Sequence, residues 1–144
     1  MKRSDALIPL SREHHEALVL ARRAGGCNVD SGAGRVLREH VLQRWEAQFE
    51  PHFALEELAL FPALAAVGHD MPVAAAVADH AELRQLVGRL RRGDATALAA
   101  WGAAMDRHVR FEERTLFPLA QRVLDPVALA ESMARPAPIP VPSP

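Results

Sequence analysis

The feature of this sequence that most constrains its fold is a pattern that occurs twice, 56 residues apart. In both copies the order is His-x-x-x-Glu-Glu-x-x-x-Phe-Pro, from His52 to Pro62 and from His108 to Pro118. Residues i and i+4 of an α-helix lie about 40° apart around its axis, so the His and the first Glu of each copy share one face. One such pair is common on solvated helix surfaces, whereas two in-frame copies within apolar stripes are typical of bundles that direct ligands at metal. The repeat therefore predicts a helical fold with an internal metal site.

Length and composition narrow the class further. A chain of 144 residues fits one compact domain, and a hydrophobic content of 49% with no Tyr and 5% aromatics favours helices over a sheet. The net charge of −1, without a basic stripe, argues against a nucleic-acid surface. The single Cys27 cannot form an internal disulfide, and no stretch resembles a signal peptide or reaches the roughly 20 apolar residues of a membrane span. We expect a cytoplasmic protein without a nucleic-acid or membrane partner.

Apolar periodicity and helix-end signals predict four long helices and a short fifth one. The expected helices run from Ser11 to about Ala24, from about Ala33 to Val67, from Asp70 to about Arg92, from Asp94 through Leu119, and from Asp125 to about Arg135. Residues 1–8 are expected to form a loose lead-in, and Pro51 and Pro62 to bend the second helix. Short connections imply an antiparallel up-down-up-down four-helix bundle, built from two hairpins related by an approximate two-fold axis. We assign residues 1–135 to this domain and expect the proline-rich residues 136–144 to be a disordered tail.

The candidate ligands are histidines and glutamates on the inward stripes of these helices. His52, Glu56, His108 and Glu112 belong to the repeated pattern, and their stripes also carry the large apolar residues of the core. His80 lies between Val77 and Leu83 in the middle of the stripe that we assign to the third helix.

Two adjacent histidines compete for the position on the first helix. His14 lies in line with Leu10 and Leu18, whereas His15 is rotated toward Arg22. We select His14 and keep His15 as its alternative or as a supporting group. His40 lies off the stripe of its helix and His69 lies in a connection, so neither is predicted to bind metal.

Two further glutamates follow directly after the candidate ligands. Glu57 and Glu113 lie about 140° around the helix from the histidines of the pattern and are expected to point sideways, toward an arginine or a helix flank. Imidazole and carboxylate ligands without thiolate suit iron or manganese better than copper or structural zinc, with manganese or zinc as substitutes for iron. The Glu-x-x-His motif of ferritin-like sites does not occur, because no histidine follows a glutamate by three residues.

The chain resembles the hemerythrin-like, or HHE cation-binding, domain from Leu10 to Arg122. The motifs that carry this resemblance are Leu10–His15, His52–Glu57 with Leu60–Pro62, Asp79–Leu83, and His108 with Glu112–Glu113 and Leu116–Pro118. The resemblance implies a non-haem di-iron centre, oxo- or hydroxo-bridged, with two bridging glutamates and with histidines completing each coordination sphere. It also implies a protein that meets dioxygen, peroxide or nitric oxide, for sensing, iron handling or a stress response.

The sequence also departs from the oxygen-carrying members of that family. Those proteins place a second histidine one turn after the first on the third helix, where this chain has Arg84, and an Asp at i+5 on the last helix, where it has Glu112 at i+4. Four histidines and two glutamates look more like the domain of iron–sulfur repair proteins. The alternative functions are therefore a small di-iron oxidase or peroxidase, or a repair-like enzyme, and a metal-free helical interaction domain is a third interpretation. The sequence indicates no protein partner or electron donor.

Overall fold

The computed structural model describes residues 2–28 and 30–134, and these residues form helices and connections without any β-strand. The helices are α1 (Ile8–Gly26), α2 (residues 32–66), α3 (Asp70–Arg91), α4 (residues 97–123) and α5 (Pro126–Met133). This confirms the predicted all-α class with a short fifth helix. The proline-rich tail and Arg135 lie outside the described residues.

Helices α2 and α4 are continuous but contain turns that are wider than those of an α-helix. In α2 the segments are α-helical Gly32–Arg44, π-helical Trp45–Phe49, α-helical Glu50–Leu55, π-helical Glu56–Leu60 and α-helical Phe61–Ala66. In α4 they are α-helical Ala97–Phe111, π-helical Glu112–Leu116 and α-helical Phe117–Val123. Two of the three π-helical turns begin at a glutamate of the repeated pattern, so the irregularity coincides with the candidate site.

A proline follows each wide turn and accounts for its position. The N–H groups of Glu50, Phe61 and Phe117 donate to carbonyls five residues earlier, instead of four. The next residue in each case is a proline, namely Pro51, Pro62 and Pro118. Proline has no N–H group with which to continue the pattern of α-helical hydrogen bonds. The bends predicted at Pro51 and Pro62 therefore take the form of π-helical turns on their N-terminal side.

The lead-in before α1 is not loose, contrary to the prediction. The carbonyl of Ser4 accepts hydrogen bonds from the N–H groups of Leu7 and Ile8, and Leu7 is fully buried. Helix α1 consequently begins at Ile8, with Pro9 in its first turn, three residues before the expected start. Burial of Leu7 and Leu10 on one face favours this earlier start. The hydroxyl of Ser11, predicted as the cap, donates instead to Glu113 of α4.

Other helix ends differ from prediction in smaller ways. Helix α4 begins at Ala97, because Asp94 accepts hydrogen bonds from Thr96 and so caps a turn before the helix. On α3 the predicted inward residue Val77 is 45% exposed, and its neighbour Ala76 is buried in its place. Gly68 and Gly93 have φ angles of 92° and 90°, which suits glycine at the two connections that end α2 and α3.

Side-chain pairs show how the helices lie against each other. Glu13 and Glu16 of α1 face His52 and Arg44 of α2, so these two helices run in opposite directions. The same holds for α2 with α3, through the pairs Glu57–His80 and Glu46–Arg91, and for α3 with α4, through Asp79–His108 and Glu82–Arg107. None of the helices in the described residues combines the length and the apolar character that crossing a membrane requires.

The apolar core is divided into two clusters with a polar layer between them. One cluster contains Trp45, Phe49, Trp101 and Met105 and lies toward the α1–α2 and α3–α4 connections. The other contains Leu7, Leu60, Leu64, Leu116 and Phe117, together with Leu129 of α5, at the opposite end of the bundle. Six buried polar residues lie between these clusters, where water is excluded and unpaired polar groups are costly.

Candidate metal centre

The polar layer consists of the six residues that were predicted as ligands. Each long helix contributes one histidine, and α2 and α4 each add a glutamate one turn later. All six residues are at most 4% exposed: His14, His52, Glu56, His80, His108 and Glu112. By contrast, His15 and His40 are exposed and His69 is half-buried in the α2–α3 connection. The choice of His14 over His15 therefore agrees with the observed phase of α1.

These six residues form two clusters that share their glutamates. The first cluster is His14, His52, Glu56 and Glu112, and the second is Glu56, His80, His108 and Glu112. In each cluster, one ligand atom per residue lies within 4.8 Å of the ligand atoms of the others. Because a carboxylate has two oxygens, each shared glutamate can contact two neighbouring metal ions. The arrangement is two adjacent clusters with two common carboxylates.

The inner nitrogens of the histidines face these two carboxylates, with distances that repeat between the halves of the chain. The Nε2-to-oxygen distances are 2.9 Å for His14–Glu112, 3.1 Å for His80–Glu56, 3.3 Å for His52–Glu56 and 3.5 Å for His108–Glu112. Exchanging the first hairpin (α1 and α2) for the second (α3 and α4) replaces the His14–Glu112 pair by the His80–Glu56 pair. The same exchange replaces the His52–Glu56 pair by the His108–Glu112 pair. The site therefore follows the approximate two-fold relation that the duplicated pattern predicts.

The outer nitrogen of every histidine faces a different carboxylate. The Nδ1-to-oxygen distances are 2.7 Å for His14–Glu113, 2.7 Å for His80–Glu57, 2.9 Å for His108–Asp79 and 3.7 Å for His52–Glu13. A carboxylate beside Nδ1 favours the tautomer that carries its proton there, which leaves the Nε2 lone pair directed into the layer. Carboxylate–histidine pairs of this kind commonly orient the imidazole ligands of metals.

Unsatisfied polar atoms within the layer are a second indication of a cation. Among the described residues, five buried side-chain atoms have no hydrogen-bond partner, and four of them belong to the six ligand candidates: His52 Nε2, His108 Nε2, Glu56 Oε2 and Glu112 Oε2. The fifth atom is Nε1 of Trp101. Buried polar atoms without partners are rare and costly. A metal ion coordinated by these nitrogens and oxygens would satisfy all four, so the residues fit the group that they are predicted to hold.

The electrostatics of the layer point the same way. Burial lowers the pKa of His52, but the carboxylates of Glu56 and Glu112 outweigh burial and raise that pKa well above 6.5. Burial raises the pKa of Glu112, yet His108, a hydrogen bond shared with Glu56, and the imidazoles of His14 and His52 bring it well below 4.5. Without metal, Glu112 therefore keeps its negative charge, and the raised pKa values of His14, His52 and His108 let these residues retain their protons to higher pH than free imidazole does. A cation would take the place of those protons.

The residues beside Nδ1 were only partly anticipated from the sequence. Glu57 and Glu113 do contact arginines, as expected, but their contacts with His80 and His14 were not predicted. The partners of His52 and His108, Glu13 and Asp79, were missed. A signal for them exists, since an acidic residue directly precedes both His14 and His80 in the sequence.

The two clusters are not surrounded equally. The ring of Phe53 stacks on His80 with a centroid distance of 3.7 Å and an interplanar angle of 4°. The position 56 residues later is the smaller Val109. A cavity of about 10 Å³, room for about one water molecule, lies on the side with His14 and His52. Its lining includes Ala17, Phe49, Met105 and Val109. The structure therefore provides space for about one water molecule beside the first cluster.

Comparison with known proteins agrees with this geometry. The model of the hemerythrin HHE cation binding domain matches residues 7–120, which contain all six candidate ligands. No curated protein and no solved structure matches the chain. The family match and the buried His/Glu clusters are compatible with a metal-binding protein. Because the match covers well over half of the sequence, this chain belongs to the hemerythrin HHE cation-binding domain family.

Proposed function

We propose that this protein binds two iron ions, with His14 and His52 on one, His80 and His108 on the other, and Glu56 and Glu112 contacting both. The observation that carries this proposal is the sharing of the two glutamates between both four-residue clusters. Four imidazoles and two carboxylates without thiolate suit iron, and manganese or zinc are the substitutes. The one cysteine, Cys27, directly follows α1 and is not among the ligand candidates.

The bound iron pair would interact with dioxygen, peroxide or nitric oxide. Six protein side chains do not fill the coordination spheres of two iron ions, so positions remain for water or a small molecule. The cavity beside His14 and His52 offers space for such a molecule within an apolar wall. Bound iron would supply the electron chemistry, and the protein would supply the ligands, their orientation and the exclusion of bulk water.

The experiment that tests this function is an anaerobic titration with Fe²⁺, followed by an absorption spectrum on exposure to air. We expect two iron ions per chain and a new absorption band after oxidation. The pair His14→Ala and His15→Ala provides a matched comparison, because only His14 is buried in the layer. The first variant should lose iron and the second should retain it. Binding of a single iron, or equal loss in the two variants, would contradict the assignment.

An enzymatic role, as a small di-iron oxidase or peroxidase, is the second candidate. It is favoured by Arg84, which stands where the oxygen carriers of the family have a further imidazole and which here binds Glu50 and Glu57 instead. With fewer protein ligands, the reduced centre has more positions open to an oxidant. We expect rapid oxidation in air and turnover with peroxide, measured by stopped-flow absorption. A long-lived dioxygen complex that argon reverses, with recovery of ferrous iron, would favour reversible binding instead.

A further inference from the structure

Two of the four carboxylates that contact Nδ1 are themselves held by an arginine. On α3, the guanidinium of Arg84 donates to both oxygens of Glu57, at 2.8 and 3.0 Å, and Glu57 in turn accepts from Nδ1 of His80 at 2.7 Å. Arg84 also donates to Glu50, with a shortest distance of 2.7 Å. The result is a continuous arginine–glutamate–histidine chain that leads from the surface to the second metal position.

An equivalent chain reaches the first metal position from the segment before α1. Arg3 donates to Oε1 of Glu113 at 3.0 Å and to its backbone carbonyl at 3.1 Å. The other oxygen of Glu113 accepts from Nδ1 of His14 and from the hydroxyl of Ser11, both at 2.7 Å. The guanidinium also lies over the ring of Phe117, 5.5 Å from its centroid. Arg3 therefore occupies, on the first hairpin, the role that Arg84 has on the second.

The segment that carries Arg3 is fixed to α4 by a single glutamine. The side-chain oxygen of Gln121 accepts from the N–H of Ser4 at 3.0 Å and from Arg3 at 3.3 Å. Its amide nitrogen donates to the carbonyl of Lys2 at 2.9 Å. These contacts keep an otherwise irregular stretch of chain against the helix that bears Glu112 and Glu113.

In the described part of the chain, the other two histidines of the layer, His52 and His108, have a carboxylate partner but no arginine behind it. Among the described residues, no arginine donates to Glu13 or to Asp79, the carboxylates beside His52 and His108. The side chain of Asp79 is 40% exposed, and Glu13 lies at 3.7 Å from His52, beyond hydrogen-bond range. Only His14 and His80, which are related by the approximate two-fold relation, have carboxylates that are both hydrogen-bonded and charge-paired.

We infer that Arg3 and Arg84 are positioning residues of the metal centre, each orienting one histidine through one glutamate so that its Nε2 faces the metal. This inference rests on the proposed function. On Glu57, the two-point contact from the planar guanidinium of Arg84 fixes the carboxylate plane. On Glu113, Arg3 contacts one carboxylate oxygen and the hydroxyl of Ser11 contacts the other. In both cases the fixed carboxylate limits rotation of the imidazole. The guanidinium also balances a negative charge that would otherwise add to those of Glu56 and Glu112. The segment that carries Arg3 thus supports the first metal position from outside the layer.

The competing explanation is that both arginines form ordinary ion pairs, which contribute little. Arg107 provides the matched control, since it pairs with Glu82 at 3.0 Å between exposed side chains of α4 and α3. Arg107→Ala removes an arginine–glutamate ion pair, as Arg3→Ala and Arg84→Ala do. Within residues 2–28 and 30–134, its glutamate, Glu82, contacts no histidine of the polar layer. A general loss of surface pairing should therefore appear in all three alanine variants.

The test measures dissociation constants for two Fe²⁺ ions per chain, in the wild type and in Arg3→Ala, Arg84→Ala and Arg107→Ala. Loss of a group that orients a histidine ligand typically weakens metal binding about 10–100-fold. We expect one weakened ion in Arg3→Ala, one in Arg84→Ala and none in Arg107→Ala. Arg3→Lys and Arg84→Lys should each retain part of the affinity that the alanine variants lose, because lysine keeps the positive charge but lacks the planar guanidinium.

Double variants identify which position each arginine serves. Arg3→Ala should have little further effect in a His14→Ala background and its full effect in a His80→Ala background, and Arg84→Ala should show the reverse. Mössbauer spectra should show one altered iron environment in each single arginine variant. Equal weakening of both ions, or full effects in both backgrounds, would show a general structural role and overturn the inference. Two ions bound by the wild type with unchanged variants would overturn the inference alone, whereas a wild type that binds no iron would overturn the proposed function as well.

Discussion

At the scale of single residues, adjacent glutamates have different roles. Glu56 and Glu112 face both clusters, whereas Glu57 and Glu113 contact only the outer nitrogens of histidines. We expect Glu56→Gln and Glu112→Gln to lose both metal ions. Glu57→Gln and Glu113→Gln should still bind two ions at saturation, about 10-fold more weakly. Elemental analysis after gel filtration distinguishes the pairs, and the same metal content in all four variants would contradict the assignment.

The protonation of the metal-free layer predicts how stability depends on pH. Burial lowers the pKa values of His14 and His108, but their neighbouring carboxylates raise them above 6.5 overall, as for His52. A histidine whose pKa is higher in the folded than in the unfolded protein stabilises the fold fully at pH values below 6.5, its pKa in the unfolded state. This contribution is lost as the pH rises through the pKa of the folded state. Hydrogen bonds from His14 and Ser11 hold the pKa of Glu113 at about 2, so its contribution disappears as pH falls from 4.5 toward 2. The metal-free protein should therefore be most stable between about pH 4.5 and 6.5.

Urea unfolding of metal-free protein across this range provides the measurement. We expect the free energy of unfolding to decline on the alkaline side more weakly in His14→Ala than in the wild type. Metal affinity should change in the opposite direction and increase with pH, because each bound ion displaces protons from imidazole. A metal-free protein whose stability increases steadily from pH 6 to pH 9 would contradict this account.

All six residues of the polar layer were identifiable from the sequence, because the spacing of residues along a helix determines which of them lie on the same face. His52 and Glu56 are four residues apart, and no knowledge of packing is needed to place them together. The contact of Arg3 with Glu113 is different, since it joins residues 110 positions apart. It depends on how α1 begins and on how close α1 lies to α4. Neither is encoded in any local pattern, and the lead-in was therefore predicted to be loose.

At the scale of the helices, α1 and α4 lie in close contact at Gly102. A Cβ added there would lie 2.6 Å from the backbone oxygen of Ala21, so Gly102→Ala must push the two helices apart. We expect a loss of about 1–3 kcal/mol in the free energy of unfolding, together with weaker metal binding, because these helices carry His14 and Glu112. Thermal and urea unfolding measure the first effect, and iron titration measures the second.

Gly88 of α3 provides a matched control for the same substitution. A Cβ at that position meets only the end of the Arg92 side chain, at 3.4 Å. Gly88→Ala should therefore stabilise the protein by roughly 0.5–1 kcal/mol through helix propensity alone. Equal effects of the two substitutions would show that the α1–α4 contact is looser than described.

Helix bounds were predicted to within a few residues, but the internal form of α2 and α4 was not. Proline at positions 51 and 62 indicates that the backbone hydrogen bonds of the helix must be rearranged. The sequence alone does not show whether the result is a sharp kink or a wide turn. The wide turns keep Trp45 and Phe49, and likewise Glu56 and Leu60, on the buried side. The error at Val77 has a related origin, because hydrophobicity favoured valine, whereas the residue that is buried is the smaller Ala76.

At the scale of the whole molecule, metal removal should lower stability. The layer that separates the two core clusters has unpaired buried atoms without a cation, so binding favours the folded state. At a free metal concentration 100 times the dissociation constant, one site contributes about 2.7 kcal/mol. For a chain of this size, we expect chelation to lower Tm by roughly 10 °C. Calorimetry with and without chelator measures it, and unchanged melting would contradict metal binding in this layer.

The approximate two-fold relation has a consequence for how the chain is assembled. The first hairpin provides three of the four residues of the first cluster, and the fourth, Glu112, comes from the second hairpin. The second hairpin likewise provides three residues of the second cluster, and the fourth, Glu56, comes from the first hairpin. Neither half holds a complete ligand set, so bound metal would add a link between the two hairpins beyond the apolar clusters that they share. If the chain were cut at the exposed Gly68, where φ is 92° and the backbone turns, the two fragments should associate more tightly when metal is supplied. The same relation suits an origin in which two copies of one helical hairpin met around their ions before a single chain joined them.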